Sequence, residues 1–163
     1  MIGGGQGACS STGLAIYTDS TNLLQLAWKG HGTFKENPSG GCEGSKAYEY
    51  DWNVQSYWDG FFLNLSKPID ASKATAFTYA YKQGPSDPSF FFVRLHSGAK
   101  ACAAGCDVEV HAGSADWKVV TIPISTFVKS GEVDLTAISA IEFGFSGPDA
   151  SGTLLLDDMV FTQ

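Results

Sequence analysis

Ala140-Ile141-Glu142-Phe143-Gly144-Phe145-Ser146 alternates apolar residues with polar or small ones without a break. A period of two is that of a β-strand: Ile141, Phe143 and Phe145 fall on one face, Glu142, Gly144 and Ser146 on the other. Three further segments repeat the pattern. In Ser89–His96, Phe91, Val93 and Leu95 oppose Phe90, Phe92, Arg94 and His96. In Asp107–His111, Val108 and Val110 oppose Asp107, Glu109 and His111, and in Trp58–Leu65, Phe61, Leu63 and Leu65 oppose Trp58, Gly60, Phe62 and Asn64. Each strand thus has one plainly apolar face and a second that mixes polar groups with aromatic rings. A solvent face ordinarily carries Thr, Lys and Ser, so Trp58, Phe62, Phe90 and Phe92 on that side call for an explanation.

Working outward, the same periodicity predicts strands at Leu14–Asp19, Leu24–Lys29, Lys46–Asn53, Ala76–Lys82, Trp117–Ile124 and Thr153–Phe161. Glycine- and proline-rich turns separate them, such as Asn37-Pro38-Ser39-Gly40-Gly41 and Gly84-Pro85-Ser86-Asp87-Pro88. No stretch sustains a 3.6-residue apolar stripe; Ser125–Lys129 and Leu135–Ile138 suit short helical turns. Many short strands at this spacing predict an all-β fold, a sandwich or a barrel. Within the strands, Tyr48, Tyr50 and Trp52 share one parity, as do Phe77, Tyr79 and Tyr81, and both sets read as core. Trp117, at a strand start, reads as packing. Trp28 and Tyr57 lie near strand ends, where the rim of a groove would fall.

At 163 residues the chain fits one domain: a glycine-rich segment over 1–13 and a single folded unit over 14–163. The 44% hydrophobic and 13% aromatic content excludes a disordered polymer, and no apolar run is long enough to span a bilayer as a helix. Seventeen acids against ten bases give a net charge of −7, which argues against nucleic acid or an anionic membrane as partner. Four cysteines, Cys9, Cys42, Cys102 and Cys106, without a Cys-x-x-Cys pair favour disulfides over zinc. Of the three connectivities, the reading favours Cys9–Cys42, tying down the N-terminal segment, with Cys102–Cys106 closing a small loop. Disulfides imply secretion or a periplasmic location, and the chain reads as a secreted, extracellular protein. Met1-Ile2-Gly3-Gly4-Gly5 lacks the basic and apolar regions of a leader, so the chain reads as a mature or excised module.

Several segments together resemble a known group. Ile16-Tyr17-Thr18-Asp19-Ser20, Glu43-Gly44-Ser45-Lys46-Ala47-Tyr48, Asp116-Trp117-Lys118-Val119-Val120-Thr121-Ile122-Pro123-Ile124 and Leu155-Leu156-Asp157-Asp158-Met159-Val160-Phe161 are similar to the galactose-binding-like β-jelly roll of secreted carbohydrate-binding modules, families four, eleven and thirty among them. The order and spacing of these motifs across most of the chain carry the resemblance, since each alone is degenerate. It implies a two-sheet antiparallel β-sandwich, a jelly roll, in which Trp58–Leu65, Ala140–Ser146, Ser89–His96 and Asp107–His111 lie side by side in one sheet. Their mixed faces would then merge into one concave surface holding a glycan.

The chemistry of those faces suits that role. A sugar ring offers an apolar C–H face and a fringe of hydroxyls, and is met by flat aromatic platforms with planar donors and acceptors at the edge. Trp58, Phe62, Phe90 and Phe92 supply platforms; Asn64, Arg94, His96, Asp107, Glu109, His111 and Glu142 supply polar partners; Trp28 and Tyr57 are rim candidates. Gly60 and Gly144 would leave room for the chain to approach. The plainer alternative is that Arg94, Glu109 and Glu142 form cross-strand ion pairs on a solvated sheet.

The resemblance further implies a structural Ca²⁺ between the first and last strands, with Asp19, Glu43 and Asp157 as its oxygen ligands. It implies a plant-type β-glycan (β-glucan, cellulose, xyloglucan or xylan) as ligand and an attached polysaccharide-degrading catalytic domain as partner. The alternative is a small jelly-roll glycoside hydrolase or polysaccharide lyase; a protein-binding sandwich is a third. The hydrolase signature Glu-x-Asp-x-x-Glu and the nucleophile elbow Gly-x-Ser-x-Gly are both absent from the sequence, so no catalytic residue is expected. Asn64-Leu65-Ser66 is a glycosylation sequon in the middle of the proposed groove strand and reads as a chance match.

Overall fold

The structure is a computed structural model describing residue 9 and residues 11–83, 90–98, 100–101, 108–111, 116–129 and 132–163, without the side chains at 90, 100–101 and 108–111. Among the described residues twelve strands follow one another: β1 Leu14–Tyr17, β2 Leu24–Lys29, β3 Thr33–Asn37, β4 Ala47–Val54, β5 Trp58–Ile69, β6 Ala76–Gln83, β7 Phe90–Ser97, β8 Lys100–Ala101, β9 Val108–His111, β10 Lys118–Pro123, β11 Ile138–Ser146 and β12 Ala150–Thr162. Helical structure among the described residues is confined to single turns at Cys42–Gly44, Ile124–Phe127 and Leu135–Ala137. None is long and apolar enough to cross a membrane.

Two antiparallel six-stranded sheets form the sandwich. One has the order β10-β6-β12-β4-β3 with β1 added on β12; the other runs β2-β5-β11-β7-β8 with β9 added on β7. The second sheet contains all four strands whose mixed faces stood out in the sequence, in the order β5-β11-β7-β9, and gains β2 as a fifth.

The apolar parities meet between the sheets. Phe61, Leu63, Phe91, Val93, Leu95, Ile141, Phe143 and Phe145 from one sheet and Tyr50, Trp52, Phe77, Tyr79 and Leu154 from the other are all buried. Trp52 stacks on Phe145 with ring centroids 5.3 Å apart, Tyr50 packs on Phe61 at 4.5 Å, and Phe61 stacks on Phe143 at 5.3 Å. Aromatic pairs in these offset and tilted arrangements each add to the burial energy of their rings. A smaller cluster lies on the outer side of the first sheet, where Cys9, Cys42 and Ala80 are buried with Trp117 packed against them.

The Cys9–Cys42 disulfide is present and ties residue 9 to the loop that follows β3. Cys102 and Cys106 lie outside the described residues. The sequence reading omitted β3, whose Thr33-Phe34-Lys35-Glu36-Asn37 carries one apolar residue and lies at a sheet edge where only one side chain need be covered.

Candidate functional site

Strand register places the candidate residues in rows across the outer face of the second sheet. Trp58 of β5 pairs with Ser146 of β11, and Gly60 with Gly144, which in turn pairs with Phe92 of β7. In the next row Trp28 of β2 pairs with Phe62, Phe62 with Glu142, and Glu142 with Arg94. Beyond it, Gln25, Asn64, Ala140 and His96 line up in the same way. On the far side the backbones of Phe90 and Phe92 pair with those of His111 and Glu109. Asp107 lies outside the described residues, as do the side chains of Phe90, Glu109 and His111.

Trp28 reaches this face through a local irregularity. Leu24 and Leu26 pair with Leu65 and Leu63, and strict alternation would send Trp28 inward with them; the register shifts between Leu26 and Trp28. A bulge of this kind re-aims the residue after it. Trp28 is consequently 46% exposed. Its ring lies 5.2 Å from that of Trp58 and 6.2 Å from that of Phe62, whose own ring is 4.6 Å from His96. Trp58, Phe62, Phe92, Arg94 and His96 are half-buried and Asn64 is exposed. The result is an aromatic strip crossing from β2 over β5 towards β7.

The two glycines have a different role from the one expected. A Cβ on Gly144 would run into the Phe92 ring, and one on Gly60 would meet the Trp58 indole at 3.0 Å and the Phe143 carbonyl oxygen at 2.6 Å. The missing side chains therefore let the protein's own rings lie down on the sheet, and the space is filled by the platforms rather than left open for a ligand.

At the centre of the face sits Glu142, 5% exposed. Its Oε2 accepts a hydrogen bond from Arg94 Nη1 at 3.3 Å and lies 2.8 Å from His96 Nε2. The cross-strand ion pair of the plainer reading is therefore real, and it coexists with the platform: the Arg94 guanidinium lies 5.4 Å from the Phe92 ring centre. One carboxylate thus orients a guanidinium and an imidazole along the edge of an aromatic surface, an arrangement suited to hydroxyl groups.

Asp59 was not singled out by sequence reasoning. It is fully buried, on the inward parity of β5, and accepts hydrogen bonds from His31 N at 2.8 Å, Tyr50 Oη at 2.7 Å and Asn53 N at 2.7 Å. With the Gly30 N to Gly60 O bond of 2.8 Å, it clamps the β2–β3 turn onto β5. The Trp58 ring sits 3.2 Å from where a Cβ on Gly30 would be, so this clamp fixes the floor beneath Trp58. An aspartate in the inward phase of an otherwise apolar strand was the available signal. Gln25 was missed as well, because β2 had not been assigned to this sheet.

Tyr57 is 75% exposed at the tip of the β4–β5 hairpin.

The expected calcium ligands lie on the other side of the molecule. Asp19, Glu43 and Asp158 line a cleft of about 470 Å³ together with Thr18, Ser20, Gly44 and Ser45. Asp157 lies beneath it, 1% exposed, accepting from Cys42 N at 3.0 Å, Ser45 Oγ at 2.8 Å and Asp158 N at 2.8 Å. Burial, followed by the charges of Asp157, Asp19 and Glu43, pushes the Asp158 carboxyl up to about 6. Cys9 and Cys42 of the disulfide complete the lining, and its carboxylate and hydroxyl oxygens are of the donor type that suits a hard cation. The carboxylates are not drawn to one point: among the described residues no three Asp, Glu, His or Cys groups converge as a ligand set.

No family model matches the chain, and no curated protein matches it in sequence. Solved structures do match. A family 11 carbohydrate-binding module from Clostridium thermocellum, in complex with a β-1,3-1,4-mixed-linked tetrasaccharide, superposes with a TM-score of 0.66 at 19% identity, covering 94% of this chain and 98% of that one. The family 30 module of a cellulosomal cellulase of the same organism gives 0.61 at 18% identity, covering 90% and 94%. A protein from a complex xyloglucan utilization locus in Bacteroides uniformis gives 0.59 at 9% identity, covering 92% of this chain and 49% of that one. The fold is thus the jelly-roll sandwich found in carbohydrate-binding modules.

Proposed function

We propose that this chain is a non-catalytic carbohydrate-binding module that holds a single β-glycan chain along the outer face of the β2-β5-β11-β7-β9 sheet. The observation that carries the reading is the strip of Trp28, Trp58 and Phe62, continuous with His96, Glu142 and Arg94. Rings at three strand positions offer flat contact at small entropic cost, while the charged cluster supplies directional bonds at their edge. The ligand class proposed is a β-glucan, xyloglucan or xylan type of chain. The same proposal includes secretion, in keeping with the Cys9–Cys42 disulfide. It also includes an attached polysaccharide-degrading enzyme, whose local substrate concentration the module would raise. Affinity electrophoresis against soluble glucans, xylans and mannans tests it: retardation by at least one β-glycan, lost in Trp58→Ala and without release of reducing ends, is the expected result. Migration unaffected by every glycan would overturn it.

Structural calcium belongs to the proposal too: of the expected ligands Asp19 and Glu43 line the cleft, and Asp158 takes the place expected of Asp157, which is buried beneath it. The cleft they line, with the hydroxyls of Thr18, Ser20 and Ser45 beside them, supports it. Added calcium should raise the thermal midpoint of the wild-type protein over that in chelator, and should do so less in Asp158→Asn. Identical midpoints with calcium and with chelator would remove the ion from the account.

A further inference from the structure

The β4–β5 hairpin turns in two residues, Ser56 and Tyr57, between Gln55 and Trp58, which exchange both backbone hydrogen bonds at 3.3 and 3.2 Å. Ser56 has φ 54° and Tyr57 φ 68°. Both therefore occupy left-handed backbone, which in two-residue hairpins favours Asn-Gly and penalises a bulky aromatic residue. The Tyr57 side chain gains nothing visible in return: it is 75% exposed and makes no ring contact or side-chain hydrogen bond with the described residues. Its carbonyl accepts from Gly147 N at 3.3 Å, which anchors the turn to the β11–β12 connection. A cheaper residue would close this turn equally well. Strained backbone carrying an unpartnered aromatic ring, one residue from the platform of Trp58, is the pattern of a ligand clamp.

We infer that Tyr57 is an end platform of the groove: its ring stacks on a sugar of chains long enough to extend past Trp58, and so it sets the length of glycan preferred. The inference rests on the proposed glycan-binding role of this face and deepens it. Shorter oligosaccharides seat on Trp28, Trp58 and Phe62 and never reach the turn.

Calorimetric titration with oligosaccharides of increasing length, prepared from a β-glycan that retards the protein in affinity electrophoresis, tests this on four proteins: wild type, Tyr57→Gly, Ser56→Asn and Trp58→Ala. Tyr57→Gly relieves the backbone, so its thermal midpoint should rise, while its affinity falls about three- to tenfold for the longest oligosaccharides and stays at the wild-type value for the shortest that binds. Ser56→Asn should raise the midpoint and leave every affinity unchanged. Trp58→Ala should weaken binding at all lengths. If Trp58→Ala weakens binding and Tyr57→Gly matches wild type at every length, Tyr57 is no platform although the groove stands. A loss in Tyr57→Gly that is equal at all lengths refutes the end position. Wild-type affinity in both, or no binding of any β-glycan by wild type, removes the groove reading and this inference with it.

Discussion

Replacing Asp59 by Asn probes the support beneath the aromatic strip. The carboxylate is fully buried and takes three donors: His31 N and Tyr50 Oη on Oδ1, and Asn53 N on Oδ2. An asparagine keeps one oxygen, which can still serve His31 and Tyr50. Its amide nitrogen then faces the Asn53 N–H, donor against donor. The loss is one hydrogen bond to a charged group, about 1.5–3 kcal/mol, plus about 1 kcal/mol for a partly buried N–H left unsatisfied. The neutral amide is easier to bury than a carboxylate, which returns part of this. The net expectation is about 2–4 kcal/mol of lost stability, a large share of the roughly 5–15 kcal/mol typical of a domain. Urea unfolding followed by tryptophan fluorescence measures it, as a lower midpoint at unchanged slope. Under native conditions the β2–β3 turn should loosen from β5, so glycan affinity should fall although Asp59 never meets solvent. Stability within about 1 kcal/mol of wild type, with full affinity, would refute the clamp.

Three further outcomes follow from the same geometry. Gly144→Ala should lower glycan affinity, because the new methyl displaces the Phe92 ring. With an open position it would instead gain about 0.5–1 kcal/mol of stability from removing a strand glycine and leave affinity unchanged; chemical unfolding and calorimetry separate the two. Glu142→Ala should cost about 2 kcal/mol in chemical unfolding, less than a fully buried pair because Arg94 is partly solvated, and should also weaken binding by releasing Arg94 and His96. Cys9→Ser with Cys42→Ser opens a closure spanning 33 residues and should cost about 3–4 kcal/mol. Affinity should be untouched, since the disulfide lies on the other sheet.

How far the sequence discloses this site follows from where its alternation is regular. Ile141-Glu142-Phe143-Gly144-Phe145 alternates strictly, and its three companion segments each keep one apolar parity apart from Asp59, so their buried and outer faces could be read directly, and the resemblance to jelly-roll modules placed them in one sheet. β2 resisted that reading. Its phase changes between Leu26 and Trp28, and a bulge has no signature in a pattern whose only rule is period two. β3 resisted because Phe34 alone among its residues is apolar. Gly60 and Gly144 were recognised as places of close approach, but what approaches depends on the rotamers of Trp58 and Phe92, which the strand pattern leaves free. Asp59 shows the converse: its inward phase was legible, yet its three donors come from Tyr50 and Asn53 on β4 and from the β2–β3 turn, partners fixed only by the packing of the two sheets.

The central claim concerns one face of one sheet, and the four tryptophans of the chain report on it independently. Trp28 and Trp58 lie in the strip, Trp52 is buried in the core against Phe145, and Trp117 packs by the disulfide on the opposite side. Indole N–H resonances followed by NMR during titration with an oligosaccharide of whichever β-glycan retards the protein in electrophoresis should move for Trp28 and Trp58 and stay still for Trp52 and Trp117. Shifts confined to Trp117, or binding in calorimetry that leaves Trp28 and Trp58 unmoved, would contradict the account.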